Sequence, residues 1–416
     1  MILPPAHSAA RVTMITAGAK ALSAALASVT ALVIARGLQA EGNGVFVSVM
    51  VVALLMAPLA QVAARVVVVA VLSNHPVLTG PEVLRTARNL LAVCGILSVT
   101  IGGGVVAWLA DEEARGLSYA ALALLPGIGM MSYAHARWWV REEAAAPDLQ
   151  TLLQSSLRFA LVLGFAATDR LSVGTALACV LAATYVAAIA GLLHSQDTKP
   201  STAIPHRTYP LLLRVAIPAV LTNLLLGGLL RVDILMLNWY AVSKAEVGSY
   251  GIAARLLEVA WMAPLAFGQV FFVREGRAKR SAQTANRASG KLLLTNVLGS
   301  FALGAALTGA VALVGSFWLG NSFADVGTLM ALSLPGIATY AAIPLARSTL
   351  FLEDRFIAVA LATGTGLLAN LGLNAALIPH FNARGAAAAT SLSYAIVAAI
   401  LVAAMRHPRE GASNIA

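Results

Sequence analysis

Long apolar runs separated by short polar segments recur along the whole chain. A membrane-spanning helix needs about 20 mostly apolar residues. Twelve stretches meet that requirement: 12–36, 44–71, 87–110, 117–138, 148–168, 172–194, 211–238, 247–272, 291–319, 327–350, 355–378 and 385–405. The stretch at 148–168 is the most interrupted, by Gln154, Ser155, Ser156 and Arg158. The first apolar run, Val12 to Ala35, is longer than the roughly 7–15 residues of a signal-peptide core, so it is expected to stay as the first span. The pattern predicts an all-α polytopic membrane protein with twelve transmembrane helices.

The pattern also repeats. Met-Ala-Pro-Leu-Ala stands at Met56–Ala60 and again at Met262–Ala266; Leu-Pro-Gly-Ile stands at Leu125–Ile128 and at Leu334–Ile337. Phe46 and Tyr250, Ala136-Arg137 and Ala346-Arg347, and Tyr185 and Tyr394 fall at similar separations, about half the chain. Such a duplication in an apolar chain is the mark of a secondary transporter built from two related bundles. Six spans per half is an even number, so both halves enter from one side and are related by an axis along the membrane normal. The expected organisation is an N-terminal six-helix lobe over 1–194, a cytoplasmic linker over 195–210 with three prolines, and a C-terminal six-helix lobe over 211–416.

Composition agrees. Of 416 residues, 59% are hydrophobic and 11% charged, where a soluble protein is about 25% charged. The net charge of +10 is unevenly placed. With the N-terminus inside, 17 lysines and arginines flank the spans on the cytoplasmic side and five on the other, which puts both termini in the cytoplasm. The basic segment from Val273 to Lys291 reads as topology and attraction to anionic lipid heads, or as a docking surface for a partner. No nucleic-acid partner is expected.

Enzymatic vocabulary is missing from the sequence: there is no HExxH, no spaced Cys/His cluster and no phosphate loop. The chain is expected to be no enzyme, to need no cofactor or metal, and to draw energy from a proton or sodium gradient or from consumption of its product. Gly102-Gly103-Gly104 reads as close helix packing, and Cys94 and Cys179 as buried core thiols. The informative residues are ionisable groups inside spans: Lys20, Arg65, Arg158, Arg231, Asp233, Arg255 and Glu258. Charge inside a membrane is costly, so these groups face a cavity or a partner. Five bases against two acids suit an anionic substrate, phosphate above all.

Each residue has a plainer alternative. Arg65 could snorkel to the interface, and Lys20 is within reach of the cytoplasmic side. Arg158 lies in the most interrupted span. Arg255 and Glu258, three apart, could neutralise each other, whereas Arg231 and Asp233, two apart, look at different neighbours. Asp233 and Glu258 are candidates for ion coupling or salt bridges. Asn370 and Asn374, one turn apart, form either polar lumen contacts or an interhelical hydrogen-bonding stripe. Pro58 and Pro264 hold equivalent places in the repeat and are candidate kinks or hinges; Pro126, Pro218, Pro335 and Pro344 also fall in spans.

Three segments carry a family resemblance. Residues 19–46 end in Ala35-Arg36-Gly37-Leu38 and Glu41-Gly42-Asn43-Gly44-Val45-Phe46, similar to the opening of the polysaccharide-transporter branch of the multidrug/oligosaccharidyl-lipid/polysaccharide exporter superfamily. Leu38-Gln39-Ala40 stands where that branch usually has Leu-Gly-Pro. Residues 229–258 resemble its helix 7–8 segment through Arg231-x-Asp233, Val247-Gly248-x-Tyr250 and Ala253-Ala254-Arg255-Leu256. Residues 370–394 resemble its helix 11–12 hairpin.

The resemblance implies two pseudo-symmetric six-helix bundles around a central cavity in the bacterial inner membrane. It implies a flippase for undecaprenyl-pyrophosphate-linked oligosaccharides, such as polysaccharide or O-antigen precursors, working by alternating access. Arg231 and Arg255, with Lys20, Arg158 and Arg65, would meet the pyrophosphate. Membrane lipids, and a polysaccharide polymerase with other envelope-assembly proteins, are the partners it suggests. The alternatives are a cation-coupled multidrug efflux transporter, which would depend on Asp233 or Glu258, and a scaffold of an envelope-synthesis complex. Twelve spans rather than fourteen separate the chain from the lipid II flippases.

Overall fold

A chain crossing lipid must bond every backbone N–H and C=O internally, and the apolar runs of this sequence answer with helix throughout. The computed structural model describes residues 6–62, 68, 72, 79–143, 145–195, 208–277, 282–352 and 355–406. The helices are α1 (Ala6–Gln61), α2 (Gly80–Leu109), α3 (Glu112–Ala121), α4 (Leu124–Val140), α5 (Ala146–Ala167) and α6 (Val173–His194). They continue as α7 (Thr208–Trp239), α8 (Lys244–Arg277), α9 (Ala282–Leu319), α10 (Val326–Tyr340), α11 (Ile343–Leu352) and α12 (Phe356–Arg406). A 3-10 turn at Asn321–Phe323 precedes α10. No strand occurs among the described residues.

Nine helical stretches among the described residues are long and apolar enough to cross a membrane. Two of them are long helices that break at a residue of positive φ. α1 breaks at Gln39 (φ 60, ψ 178) and α12 at Asn382 (φ 48, ψ −130). Asparagine tolerates a positive φ. Gln39 sits in a region where a side chain costs about 1–3 kcal/mol. Its amide offsets part of that: Nε2 donates to Arg36 O at 2.9 Å, and Ser322 Oγ donates to Oε1 at 3.1 Å.

Two predicted spans differ from the structure. The stretch 117–138 is split between α3 and α4 at Leu122-Ala123, and 327–350 between α10 and α11 at Ala341-Ala342. Pro126 and Pro344 fall in the first turns of α4 and α11, where a missing N–H breaks no helical bond. Pro58, Pro218 and Pro335 lie inside α1, α7 and α10. The one backbone departure from helix in α1 is at Gln39, well away from Pro58. Pro58 seats against α7, where a Cβ on Gly227 would lie 3.3 Å from its ring.

The polar pattern is that of a protein solvated by lipid. Asn43, Gln150, Asp233, Asn370, Asn374 and Ser393 are buried, while Trp108, Leu313, Phe317 and Ile357 are exposed. The polar residues that interrupt 148–168 face another helix: Gln150 Nε2 donates to Ala187 O at 2.7 Å and Gln154 Nε2 to Thr184 Oγ1 at 2.9 Å, both on α6. Gly102 packs tightly, since a Cβ there would meet Leu122 at 2.9 Å. Cys94 and Cys179 are free thiols, Cys179 buried.

By packing, the chain forms two compact units, 1–252 with 316–324, and 253–315 with 325–416. In the first, α1 packs on α2, α5 and α7, and α4 on α6. The segment 316–324 joins it through Arg36 Nη1, which donates to Trp318 O at 3.0 Å. In the second, α10 and α11 pack on α12, and Gly304 of α9 lets Leu257 and Ala260 of α8 approach. The sequence repeat places its divide at 195–210, most of which lies outside the described residues.

Candidate functional site

Within the first unit, Lys20 of α1 lies 3.8 Å from Asp148 at the start of α5, with side-chain exposures of 37% and 18%. A pair so long and so exposed is worth well under about 1 kcal/mol, so a stronger anion can take the ammonium. Arg158 lies ten residues further along α5, about 15 Å at helical rise, and is half-buried. Arg65 lies outside the described residues.

On α7, Arg231 and Asp233 are separated by about 200° around the helix. Arg231 is half-buried, and Asp233 is 2% exposed. The Asp233 carboxylate accepts from its neighbour's N–H (Ile234, 2.8 Å) and from the hydroxyl of Tyr250 on α8. Tyr250 is itself buried. The tyrosine satisfies a buried carboxylate, and bonds of that kind contribute about 1.5–3 kcal/mol. Tyr250→Phe is therefore expected to lower the thermal unfolding midpoint of the purified protein by several degrees, and an unchanged midpoint would contradict this role.

Tyr250 belongs to a tight crossing. Gly44 and Gly248 stand at the same separation as Phe46 and Tyr250, so the repeat makes them equivalent. They meet: a Cβ on Gly44 would overlap Lys244 O, and one on Gly248 would overlap Ala40 O. Asn43 Nδ2 donates to Gly248 O at 2.9 Å across the crossing. Beside it, Lys244 Nζ lies 2.6 Å from Asp111 Oδ2 and donates to Asn238 Oδ1 at 2.7 Å. Ser48 Oγ donates to the same oxygen at 2.9 Å. Four elements are thereby tied together: the second arm of α1, the residue before α3, the end of α7 and the start of α8.

In the second unit, Arg255 Nη1 lies 2.5 Å from Glu258 Oε2 on the same face of α8, with side-chain exposures of 36% and 13%. Their spacing of three allows this pairing. Asn370 and Asn374 are fully buried on the first arm of α12. Asn374 Nδ2 donates to Asn370 Oδ1 at 2.8 Å. Asn370 Nδ2 and Asn374 Oδ1 are left with no partner among the described residues. Pro264 falls in the part of α8 whose side chains lie outside the described residues.

The structure thus brings together Lys20 with Asp148, Asp233 with Tyr250, Arg255 with Glu258, and Asn370 with Asn374. It does not bring Arg231 and Asp233 onto one face. Sequence reasoning missed Tyr250 as the partner of Asp233, although the repeat and the Val-Gly-x-Tyr segment both mark it. It also missed Lys244 as the partner of Asp111, since no local signal links the two.

No family model matches the chain, and no curated protein matches its sequence. Solved structures match it over nearly its whole length. The lipid II flippase MurJ in an inward closed conformation is 13% identical, with 95% of this chain and 88% of that one covered and a TM-score of 0.76. An inward-facing multidrug resistance MATE family transporter of the MOP superfamily is 15% identical, covering 95% and 97%, with a TM-score of 0.62. The Vibrio cholerae MATE transporter VcmN is 13% identical, covering 96% and 97%, with a TM-score of 0.64. At such identities the shared property is the fold alone.

Proposed function

We propose that this protein is a flippase that carries undecaprenyl-pyrophosphate-linked oligosaccharide units, precursors of polysaccharide or O-antigen, from the cytoplasmic to the outer leaflet of a bacterial inner membrane. It works by alternating access of two six-helix lobes, 1–194 and 211–416, joined by the 195–210 linker, with twelve spans and both termini inside. The breaks of α1 at Gln39 and of α12 at Asn382 support that count, and contact between the repeat-equivalent Gly44 and Gly248 supports a pseudo-two-fold relation. Pro58 and Pro264 are the bending points of this reading.

One observation carries the choice of an anionic substrate. The two acids that are candidates for ion coupling are already engaged, Asp233 by Tyr250 and Glu258 by Arg255. Asp233 is buried beneath a hydroxyl and Glu258 is balanced by a guanidinium, which favours neither as a cation site. Arg231 and Arg158 add charge on α7 and α5, Lys20 is weakly held, and Arg255 has five N–H donors, enough to serve Glu258 and a phosphate oxygen together. Arg65 belongs to the same set. The half-satisfied amides of Asn370 and Asn374 suit a polar contact in the lumen, to sugar or to a coupling ion. A polysaccharide polymerase would consume the product.

The second reading is cation-coupled multidrug efflux, favoured by the MATE transporters among the structural neighbours. Reconstituted protein separates the two. Flipping of a fluorescent undecaprenyl-pyrophosphate oligosaccharide without uptake of a cationic dye is the expected result. Dye uptake without lipid flipping replaces the flippase reading with the efflux one.

A further inference from the structure

Helices α2 and α4 of the first unit run antiparallel, with Gly80 against Val140 and Gly102 against Leu122, just before α4. Between them lies a cleft of about 450 Å³, with Leu192 of α6 on its wall. Its lining is ordered along the helices. Arg88 and Tyr133 stand at one end, Gly95 and Gly129 midway, and Thr100 and Pro126 at the other. From Arg88 to Thr100 the helix rises about 18 Å, and one leaflet of the hydrocarbon core is about 15 Å deep. The cleft is therefore as long as one leaflet is thick, and apolar between Arg88 and Tyr133 at one end and Thr100 at the other.

That end is positive. Arg88 is exposed and pairs with no carboxylate among the described residues. Arg137 lies over the Tyr133 ring, 5.8 Å from its centroid. Of the acids near this end of the two helices, Glu82 accepts from Thr79 N–H at 2.9 Å, Glu143 lies 3.7 Å from Arg141, and Glu142 is exposed. Gly95 supplies a separate observation. Glycine inside a helix is unfavourable relative to alanine, yet a Cβ at Gly95 would meet no protein atom within 4 Å. Gly95 lines the cleft, so the missing side chain leaves room there for an acyl chain to lie against the helix backbone.

We propose that this cleft is a binding site for an anionic glycerophospholipid. One acyl chain lies along α2 and α4 over Gly95, and the phosphate sits against Arg88, with Arg137 adding a second positive charge. The site is distinct from the one proposed for the transported substrate and does not depend on that reading.

The test uses full-length protein in liposomes containing phosphatidylglycerol or phosphatidylcholine with a photoactivatable acyl chain, followed by mapping of the labelled peptides. Labelling of the 88–100 and 125–133 segments is expected to be roughly fivefold stronger with phosphatidylglycerol, the effect of about one basic residue on an anionic head. Arg88→Gln removes that preference. Gly95→Phe fills the cleft and removes the labelling with either lipid, whereas Gly104→Phe, on the same helix but outside the cleft and equally free of neighbours, leaves it unchanged. Equal labelling by both lipids in the wild type, or wild-type labelling in Gly95→Phe, overturns the proposal. So does displacement of the label by undecaprenyl phosphate but not by unlabelled phosphatidylglycerol.

Discussion

Gly248→Ala is expected to abolish transport and to destabilise the protein by about 1–3 kcal/mol or more. The added methyl would fall on Ala40 O, with Gly44 N close by. These are backbone atoms of α1, fixed by helical bonding and by the Asn43–Gly248 hydrogen bond. A flexible side chain could rotate away, but the backbone can relieve the overlap only by separating the two helices. Separation would pull Lys244 from Asp111 and Asn238, and Tyr250 from Asp233, because all of these lie within a few residues of the crossing. Gly44→Ala should act alike from the other side. The measurement is thermal unfolding of the purified variants together with their transport after reconstitution. Wild-type values for both variants would show that the crossing is looser than the structure has it.

The second large effect is at the arginines. Removing one side of a desolvated charge contact costs about 2–5 kcal/mol, so Arg231→Ala and Arg255→Ala are each expected to lower flipping at least thirtyfold or so. Arg255 needs a control. Its loss leaves the largely buried Glu258 carboxylate unpaired, which alone could destabilise the protein. The double variant Arg255→Ala/Glu258→Ala removes that charge. It is expected to fold like the wild type and still fail to transport. Arg231→Lys keeps the charge but not the planar fork of donors, and is expected to retain partial activity.

Much of the helical framework was legible because lipid imposes a simple demand: about 20 apolar residues for each crossing. Even the interrupted stretch at 148–168 is a helix, since Gln150 and Gln154 spend their polarity on α6. The splits at Leu122-Ala123 and Ala341-Ala342 were not legible, because both flanks are as apolar as the residues between them. The break at Gln39 falls where the family resemblance has glycine; a glutamine gives no sign that its backbone turns to positive φ.

Among candidate site residues, pairs local in sequence were readable. Arg255 with Glu258 and Asn370 with Asn374 follow from helical spacing alone. Pairs across the chain were not. Nothing near Lys20 points to Asp148, and nothing near Lys244 points to Asp111. Cationic side chains counted from the sequence therefore overstate the free positive charge, as Lys20 and Arg255 have carboxylate partners.

The most direct test of the anionic-substrate account is flipping of a fluorescent undecaprenyl-pyrophosphate oligosaccharide in proteoliposomes, with the wild type beside Arg231→Ala and the Arg255→Ala/Glu258→Ala pair. The account predicts flipping by the wild type and loss in both variants, with all three proteins folded. Flipping in the variants at the wild-type rate would contradict it.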